Sequence, residues 1–404
     1  MSAAVDHDVI ISGAGPAGVA TAVALAQAGL AGRVLCLDKA RFPRDKPCGG
    51  GLTGHARAAL AALELEVRVP HVPCTEGRIV YGPHARDVRL ERPVDVVRRC
   101  DFDADLVAQA RARGVTVVEG EGLASFAVDK AARVVRVTTT GGRTLSARVL
   151  VGADGAGSRV RRALARDAER PLRLFQAELP APAGMVLGAR MVYDFSPMDE
   201  GLRGYVWLFP VAGARVNVGA MHTPSRALSG AEIARVLART LARHGVTLPD
   251  GARGWPAWRY RRGTGVAAPH VLCVGDAAGI DALTGEGIAV GLEQGPIAAR
   301  AVVAALATRD FSFSRYGRDV RRAVVGRELA LDGRLARLLY GRRLSAFWLS
   351  LVMFDEGVRR LYAARVSGSE ILADRKRSLV AALGRHALRA PARMRALVAP
   401  DVAS

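Results

Sequence analysis

Hydrophobic and polar positions change period several times along the chain, and the changes mark its elements. Residues 8–12 (D-V-I-I-S) are a short, almost continuous apolar run, which predicts a buried strand. An alanine-rich stretch at 16–28 predicts a helix, and 33–38 is a second apolar run that ends on an acid, Asp38. Between 67 and 97 prolines break the pattern, and the stretch reads as a patchily extended excursion rather than part of the same layer. A helix is expected near 103–113, a strand at 115–119 and a hairpin-like run from there to 149. From 171 to 221 the segments L-G-A-R-M-V-Y-D-F, G-Y-V-W-L-F-P and R-V-N-V-G-A-M read as successive strands. A helix follows from 231, and 270–274 is a further buried strand that runs into glycines. Beyond 305 the chain reads as helical, with Leu329, Leu331, Leu335, Leu338 and Leu339 set between arginines, and no internal repeat is visible.

This order of elements predicts an α/β fold in which a nucleotide-binding sheet is interrupted by strand-rich insertions. The nucleotide-binding domain is expected at 1–66, 98–165 and 265–305, a β-rich substrate domain at 67–97 and 166–264, and a helical region at 306–404. A length of 404 residues suits more than one lobe, and 50% apolar residues suit a globular enzyme. A net charge of +20 raises nucleic acid, acidic lipid head groups and phosphorylated substrates as partners. The basic residues are dispersed and no helix-turn-helix or finger signature accompanies them, so nucleic acid is not expected.

The five cysteines, Cys36, Cys48, Cys74, Cys100 and Cys273, are odd in number and widely spaced, without a C-x-x-C. Reduced thiols in a cytoplasmic protein without a metal site are the expectation. No signal peptide is evident at the N-terminus. The apolar run at 344–354 is too short to span a bilayer. Behind Arg342 and Arg343 it can lie in a membrane interface, close a substrate tunnel or form a dimer contact. Peripheral membrane association and oligomeric state are therefore both left open.

The chemistry concentrates in glycine-rich junctions. Gly13-Ala14-Gly15-Pro16-Ala17-Gly18 is a G-x-G-x-x-G between the first strand and the first helix. Its glycines permit a tight turn, approach of a pyrophosphate and close helix–strand packing, and the helix N-terminus adds partial positive charge. Asp38 follows at the spacing of an acid that holds a ribose hydroxyl. Dinucleotide binding is the expectation. A second element, V-L-V-G-A-D-G-A-G-S-R-V-R-R at 149–162, ends a strand in Asp154-Gly155 and opens a helix near Ser158. A third, V-L-C-V-G-D-A-A-G at 271–279, ends in Gly275-Asp276 and is followed by T-G-E-G-I at 284–288. Asp276 is placed to accept from a ribityl or ribose hydroxyl, and the helix that follows offers free N–H groups to an anion or carbonyl.

Two further segments bear on what happens beside the dinucleotide. R-F-P-R-D-K-P-C-G-G-G-L at 41–52 sets a lone thiol, Cys48, before three consecutive glycines. Such a run suits a backbone that bends tightly or closely approaches a flat cofactor, which nominates Cys48, Gly49 and Gly50 as cofactor-side residues. In Y-V-W-L-F-P at 205–210, the strand period sends Tyr205, Trp207 and Phe209 to one face and Val206 and Leu208 to the other. That aromatic face suits an apolar, elongated substrate, or else fills the core of the sheet. Cys48 can likewise donate a proton, gate the site or fill space.

Together these elements resemble the nucleotide, Asp-Gly and Gly-Asp motifs of flavoproteins of the para-hydroxybenzoate hydroxylase type. Within that superfamily, P-C-G-G-G-L at 47–52 and Y-V-W-L-F-P at 205–210 resemble the geranylgeranyl reductase family, with similarity over roughly residues 8–300. The resemblance implies a Rossmann-type, three-layer FAD-binding domain with an inserted antiparallel β-sheet substrate domain and a helical C-terminal region. It implies FAD contacts at Gly13, Gly15, Ala17, Gly18, Asp38 and Lys39, at Arg99 in the R-C-D-F-D run, and at Asp276, Gly285, Gly287 and Ile288. Asp154, from the Asp-Gly motif, joins them as a cofactor-side residue. Where the family has proline before L-T-G-E-G-I, this chain has Ala282. The loop loses a fixed φ and is expected to be more mobile or differently shaped.

The implied activity is that of an FAD-dependent oxidoreductase that saturates carbon–carbon double bonds of an isoprenoid or similarly lipid-like substrate. The flavin supplies hydride, and Tyr205 and Cys48 are the candidates for placing the proton. No second dinucleotide fingerprint is present, so NAD(P)H would visit transiently as electron donor, or another donor would serve. The rivals are an FAD monooxygenase acting on an aromatic or polyketide-like substrate, a flavin-dependent halogenase, and a non-enzymatic flavoprotein partner. The tryptophan-x-tryptophan-x-isoleucine-proline signature of halogenases finds only Y-V-W-L-F-P as its nearest match.

Overall fold

The computed structural model describes residues 4–164, 170–185, 187–223, 228–249, 253–341 and 344–398. Its α/β architecture rests on two eight-stranded sheets. The apolar run at 9–11 has no face suited to water, and accordingly the strand His7–Ser12 is central. It pairs in parallel with Val34–Asp38 on one side and Thr144–Gly152 on the other. Parallel pairing continues outward to Thr116–Glu119 and to Val271–Cys273. The hairpin Leu123–Asp129 and Val134–Thr139 joins antiparallel to the first half of Thr144–Gly152.

The first helix, Pro16–Gln27, begins on a proline whose missing N–H sacrifices no intrahelical bond. It packs on Ile288–Thr308, a buried helix that is, among the described residues, the one long and apolar enough to cross a membrane. Glycines on the long helix allow the close crossing. A Cβ on Gly295 would lie 2.6 Å from the Ala20 Cβ, and one on Gly291 would lie 2.9 Å from the Ala17 Cβ.

The second sheet runs in the order Arg253–Ala257, Leu172–Pro180, Arg215–His222, Gly204–Val211, Arg190–Asp194, His71–Tyr81, His84–Val97 and Gly51–Leu52. Where an antiparallel sheet was expected it is mixed, because Arg190–Asp194 runs parallel to His71–Tyr81. These two strands come from separate excursions of the chain, so no hairpin dictates their relative direction. The proline-dotted stretch at 67–97 is also more regular than expected, forming two long paired strands. Pairing jumps from Cys74–Val94 to Glu76–Arg89, and this irregularity takes up Pro93, which has no N–H to give to a ladder. The helix expected from 103 begins earlier, as Arg99–Ala112.

Five α-helices beyond residue 308, among the described residues, close the molecule against both sheets: Tyr316–Arg322, Val324–Leu339, Ser345–Phe354, Glu356–Val366 and Lys376–Val398. The apolar run at 344–354 is the third of them, with Leu349, Leu351 and Met353 buried. Arg342 and Arg343 lie outside the described residues.

Gly295→Ala is expected to cost about 1–3 kcal/mol through overpacking against Ala20. Gly333→Ala, in a helix and with nothing within 4 Å of an added Cβ, is expected to be neutral or stabilising by up to about 1 kcal/mol. Urea midpoints of the two variants check this, and equal destabilisation of both would remove the packing argument.

Candidate functional site

The site begins where the central strand of the first sheet ends. Gly13 turns the chain at φ +105°, and its N–H donates to the Leu37 carbonyl at 2.7 Å. A Cβ on Gly13 would lie 2.2 Å from the Ala153 oxygen, and one on Gly18 would lie 1.9 Å from the Gly13 oxygen. Both positions therefore exclude any side chain for packing reasons. Gly15 differs, since the nearest atom to a Cβ there is Arg44 Nη2 at 3.4 Å. The space over the helix N-terminus is thus open and bordered by a guanidinium, as an anion requires.

Asp38 is buried at the end of its strand, accepting from the N–H of Ala14 and of Ala40, each at 2.9 Å. Its oxygens keep further lone pairs for a hydroxyl. Lys39 beside it is exposed. Ala17 presents its Cβ to Gly275 and Gly291. Asp154 caps the helix Arg159–Leu164, accepting from the Arg159 N–H at 2.8 Å and from the Ser158 hydroxyl, while burial pushes its carboxyl above the usual range.

Asp276 sits in the turn Gly275–Ala277, paired with Lys46 at 3.3 Å. A Cβ on Gly287, the residue before the helix Ile288–Thr308, would lie 3.1 Å from Asp276 Oδ1. Gly285 has φ +74°. Lacking the proline, the loop before it is held by Asp281, whose carboxylate accepts from the Leu283 and Thr284 N–H groups at 2.7 and 2.8 Å. The loop in turn anchors two phenols. Tyr205 donates to the Thr284 carbonyl at 2.5 Å and Tyr340 to the Leu283 carbonyl at 2.6 Å. Burial pushes the Tyr205 hydroxyl well above the usual phenol range, so its proton stays on that bond.

The glycine run and the aromatic strand, far apart in sequence, meet here. Asn217 donates to the Cys48 carbonyl at 2.7 Å and accepts from Trp207 Nε1 at 2.9 Å. A Cβ on Gly49 would lie 2.9 Å from the Phe209 ring. Tyr205, Trp207 and Phe209 share one face, with successive ring centroids 6.2 and 6.4 Å apart, and Tyr193 packs on the outer two. Val206 and Leu208 face the opposite way, into a core shared with the helix Gly230–Arg243.

Cys48 is half-buried and free, and its sulfur accepts from the Gly50 N–H at 3.4 Å. Arg99 lies beside it, bonded to both oxygens of Asp103 at 2.7 and 2.8 Å. Burial works against the Arg99 charge, but Asp103 and the Cys48 sulfur outweigh it and hold the guanidinium more firmly protonated than usual. Asn217, Arg44 and Lys46 are the site residues that sequence reasoning missed. Only their neighbours in sequence carried a signal, since Asn217 lies in R-V-N-V-G-A-M and the other two lie just before Cys48.

The FAD binding domain family matches residues 6–307. The chain belongs to that family. The glycine cradle at 13–18, the open space over Gly15 and the buried Asp38 fit the cofactor. A menaquinone reductase of Mycolicibacterium smegmatis is 33% identical to this flavoprotein over 316 residues, 72% of this chain and 75% of its own length. Digeranylgeranylglycerophospholipid reductase 2 of Methanopyrus kandleri is 29% identical over 323 residues, 76% of this chain and 80% of its own. Among solved structures, a geranylgeranyl bacteriochlorophyll reductase-like protein of Thermoplasma acidophilum superposes with a TM-score of 0.67 at 20% identity, over 92% of this chain and 99% of its own. A single-substitution mutant of the halogenase PltM in complex with FAD gives 0.68 at 17% identity, over 95% and 87%. The structural likenesses establish a shared fold. With its reductase relatives, the flavoprotein is an FAD-dependent oxidoreductase of the geranylgeranyl and menaquinone reductase type.

Two glycine variants separate packing from cofactor contact. Gly13→Ala is expected to lower stability and abolish FAD retention, whereas Gly15→Ala keeps the far-ultraviolet circular dichroism and weakens FAD by about tenfold or more. Titration of apoprotein with FAD checks both, and unchanged affinity in Gly15→Ala would show that the pyrophosphate does not lie there.

Proposed function

We propose that this flavoprotein reduces carbon–carbon double bonds in an isoprenoid or other lipid-like substrate. The observation that carries the reading is the Asn217 bridge, which joins the Cys48 backbone to the Trp207 indole and so sets an aromatic wall against the glycine run. The names of the two relatives, reductases of menaquinone and of a digeranylgeranyl lipid, support a reductase over a hydroxylase.

FAD, when bound, supplies the hydride, and NAD(P)H is the proposed donor that reloads it. Gly15, the helix N-terminus and Arg44, which also pairs with Asp103 at 3.1 Å, would hold the dinucleotide phosphates on the turn that Gly13 and Gly18 allow. Asp38 would hold a ribose hydroxyl, and Asp276 a ribityl one once Lys46 shares it. Gly285 and Gly287 would let backbone approach the ring, and Gly49 and Gly50, whose Cβ places are taken by Phe209 and the Val97 oxygen, would hold the glycine run beside it. Trp207 and Phe209 then give an elongated apolar chain a flat surface and exclude water from it. For the proton, Cys48 is the better placed of the two candidates, because Tyr205 already donates to Thr284.

A lipid substrate also calls for access to a membrane. The helix Lys376–Val398 exposes Val380 (66%) and Leu388 (87%) among Arg377, Arg385 and Arg389, which supports peripheral contact with an anionic surface.

Anaerobic incubation with NAD(P)H and menaquinone or a polyprenyl lipid is expected to yield product heavier by two hydrogens. Oxygen-dependent turnover to a hydroxylated or halogenated product, with none in its absence, would overturn the reading. Trp207→Ala is expected to lower kcat/KM by about 10- to 100-fold with FAD still bound.

A further inference from the structure

The loop that carries Gly285 and Gly287 also lines a small polar cavity with room for a water molecule. From the loop come Asp281 and Glu286, from the following helix Glu293, and from the helix Gly54–Ala62 comes His55. The helix Val324–Leu339 adds Glu328 and Asp332, and Glu356–Val366 adds Arg365. Five carboxyls therefore face one guanidinium and one imidazole.

The contacts neutralise only part of this charge. Arg365 donates to Glu328 at 2.6 Å and to Asp332 at 2.5 Å. His55 Nδ1 donates to Glu293 at 3.2 Å, and Thr53 donates to Glu286 at 2.5 Å. Asp332 has no solvent exposure, yet its Oδ1 has no partner among the described residues, and neither has His55 Nε2. Each carboxyl has at least one partner, yet five of them share one guanidinium and one imidazole. A charge left over at the buried Asp332 Oδ1 costs several kcal/mol, which favours proton uptake. Among the described residues no three His, Cys, Asp or Glu side chains have the geometry of a metal site. Protons are left.

The ionisation of the groups agrees. Burial pushes the Asp332 carboxyl well above its usual range and raises that of Glu286, against the pull of Arg365. The hydrogen bond to Glu293 raises His55. Tyr340, buried nearby, and half-buried Tyr362, whose hydroxyl is shielded, stay protonated because burial pushes both hydroxyls far up.

We propose that this cavity is a proton-binding site coupled through Glu286 to the flavin seat. Glu286 stands between Gly285 and Gly287, so negative charge arriving at that seat raises the proton affinity of the carboxylates behind it. Two electrons come from an external hydride or electron donor. A proton comes from solvent and forms an O–H bond on a carboxylate of the cluster, and it is released when the electrons leave. The inference rests on the FAD seat of the proposed function and is independent of which substrate is reduced.

The test uses FAD-loaded full-length protein in weak buffer with a pH indicator dye, photoreduced anaerobically without substrate by a sacrificial amine donor, whose own proton release is subtracted through the same reaction run on free FAD. Wild type is expected to take up more protons per flavin than free FAD does, and Asp332→Asn and Glu286→Gln are expected to lose that excess. Uptake equal to that of free FAD, or an unchanged excess in both FAD-bound variants, overturns the proposal. Should those variants not fold, reduced-minus-oxidised infrared spectra of wild type decide. A growing carbonyl band of protonated carboxylic acids supports the site, and its absence overturns it. Normal proton uptake without lipid turnover would remove the proposed substrate and leave this inference standing.

The folded-state affinities for protons are raised at His55, Glu286 and Asp332, so their contribution is complete at low pH and is lost as pH rises through those raised values. Urea midpoints of the holoprotein should fall from mildly acidic to alkaline pH, and less steeply in Asp332→Asn.

Discussion

Backbone contact at Gly13 is the constraint on which the rest depends. Three chain segments meet there with no side chain between them. Gly13 bonds to Leu37, Ala153 bonds to Ser12, and the Ala153 oxygen fills the place a Cβ would take. Only this closeness sets the N-terminus of Pro16–Gln27 over the ends of three parallel strands at once, where the field of the helix is aimed at open space. The long helix Ile288–Thr308 then crosses the first one on glycines, which brings its own N-terminus, and with it Gly285 and Gly287, to the same end of the sheet.

The second sheet is linked to this arrangement through the glycine run. Gly50, at φ +76°, accepts from the Val97 N–H at 3.0 Å, and Gly51–Leu52 pairs with Val96 and Asp95. Cys48 is fastened to the strand Arg215–His222 by Asn217. The segment thus hangs between the dinucleotide end and the aromatic strand, and its glycines serve packing at both edges. That gives the run a structural reason that holds whether or not the thiol takes part in chemistry.

Much of this was legible in sequence, because local rules produced it. Gly13, Gly18 and Asp38 announce themselves through spacing, and the alternation at Tyr205, Trp207 and Phe209 reports which face they share. What escaped was set by tertiary contact. The strands His71–Tyr81 and His84–Val97 hide behind prolines, of which Pro93 is taken up by a register jump and Pro83 by the turn between them. The parallel pairing of Arg190–Asp194 depends on a neighbour about a hundred residues away in sequence. Asn217 carries no motif, and its role exists only because Cys48 and Trp207 come within reach of one amide. The buried cluster behind Glu286 draws on five separate segments, two of them in the helical tail that sequence reading left nearly without function.

Ala282 shows how that tail enters the site. A proline would fix one φ in the loop, whereas here the loop is shaped by hydrogen bonds from Leu283 and Thr284 to Asp281 and by the phenols of Tyr205 and Tyr340. Tyr205 belongs to the aromatic strand face and Tyr340 follows the helix Val324–Leu339, so the loop's conformation is set jointly by the second sheet and the C-terminal helices. Asp281 is buried and also lines the charged cavity. A change in the protonation of that cavity therefore acts on the same backbone that carries Gly285 and Gly287. Replacing a rigid residue by a hydrogen-bonded turn trades a fixed geometry for one whose energy depends on charge, and this makes the loop responsive to what is bound on either side of it.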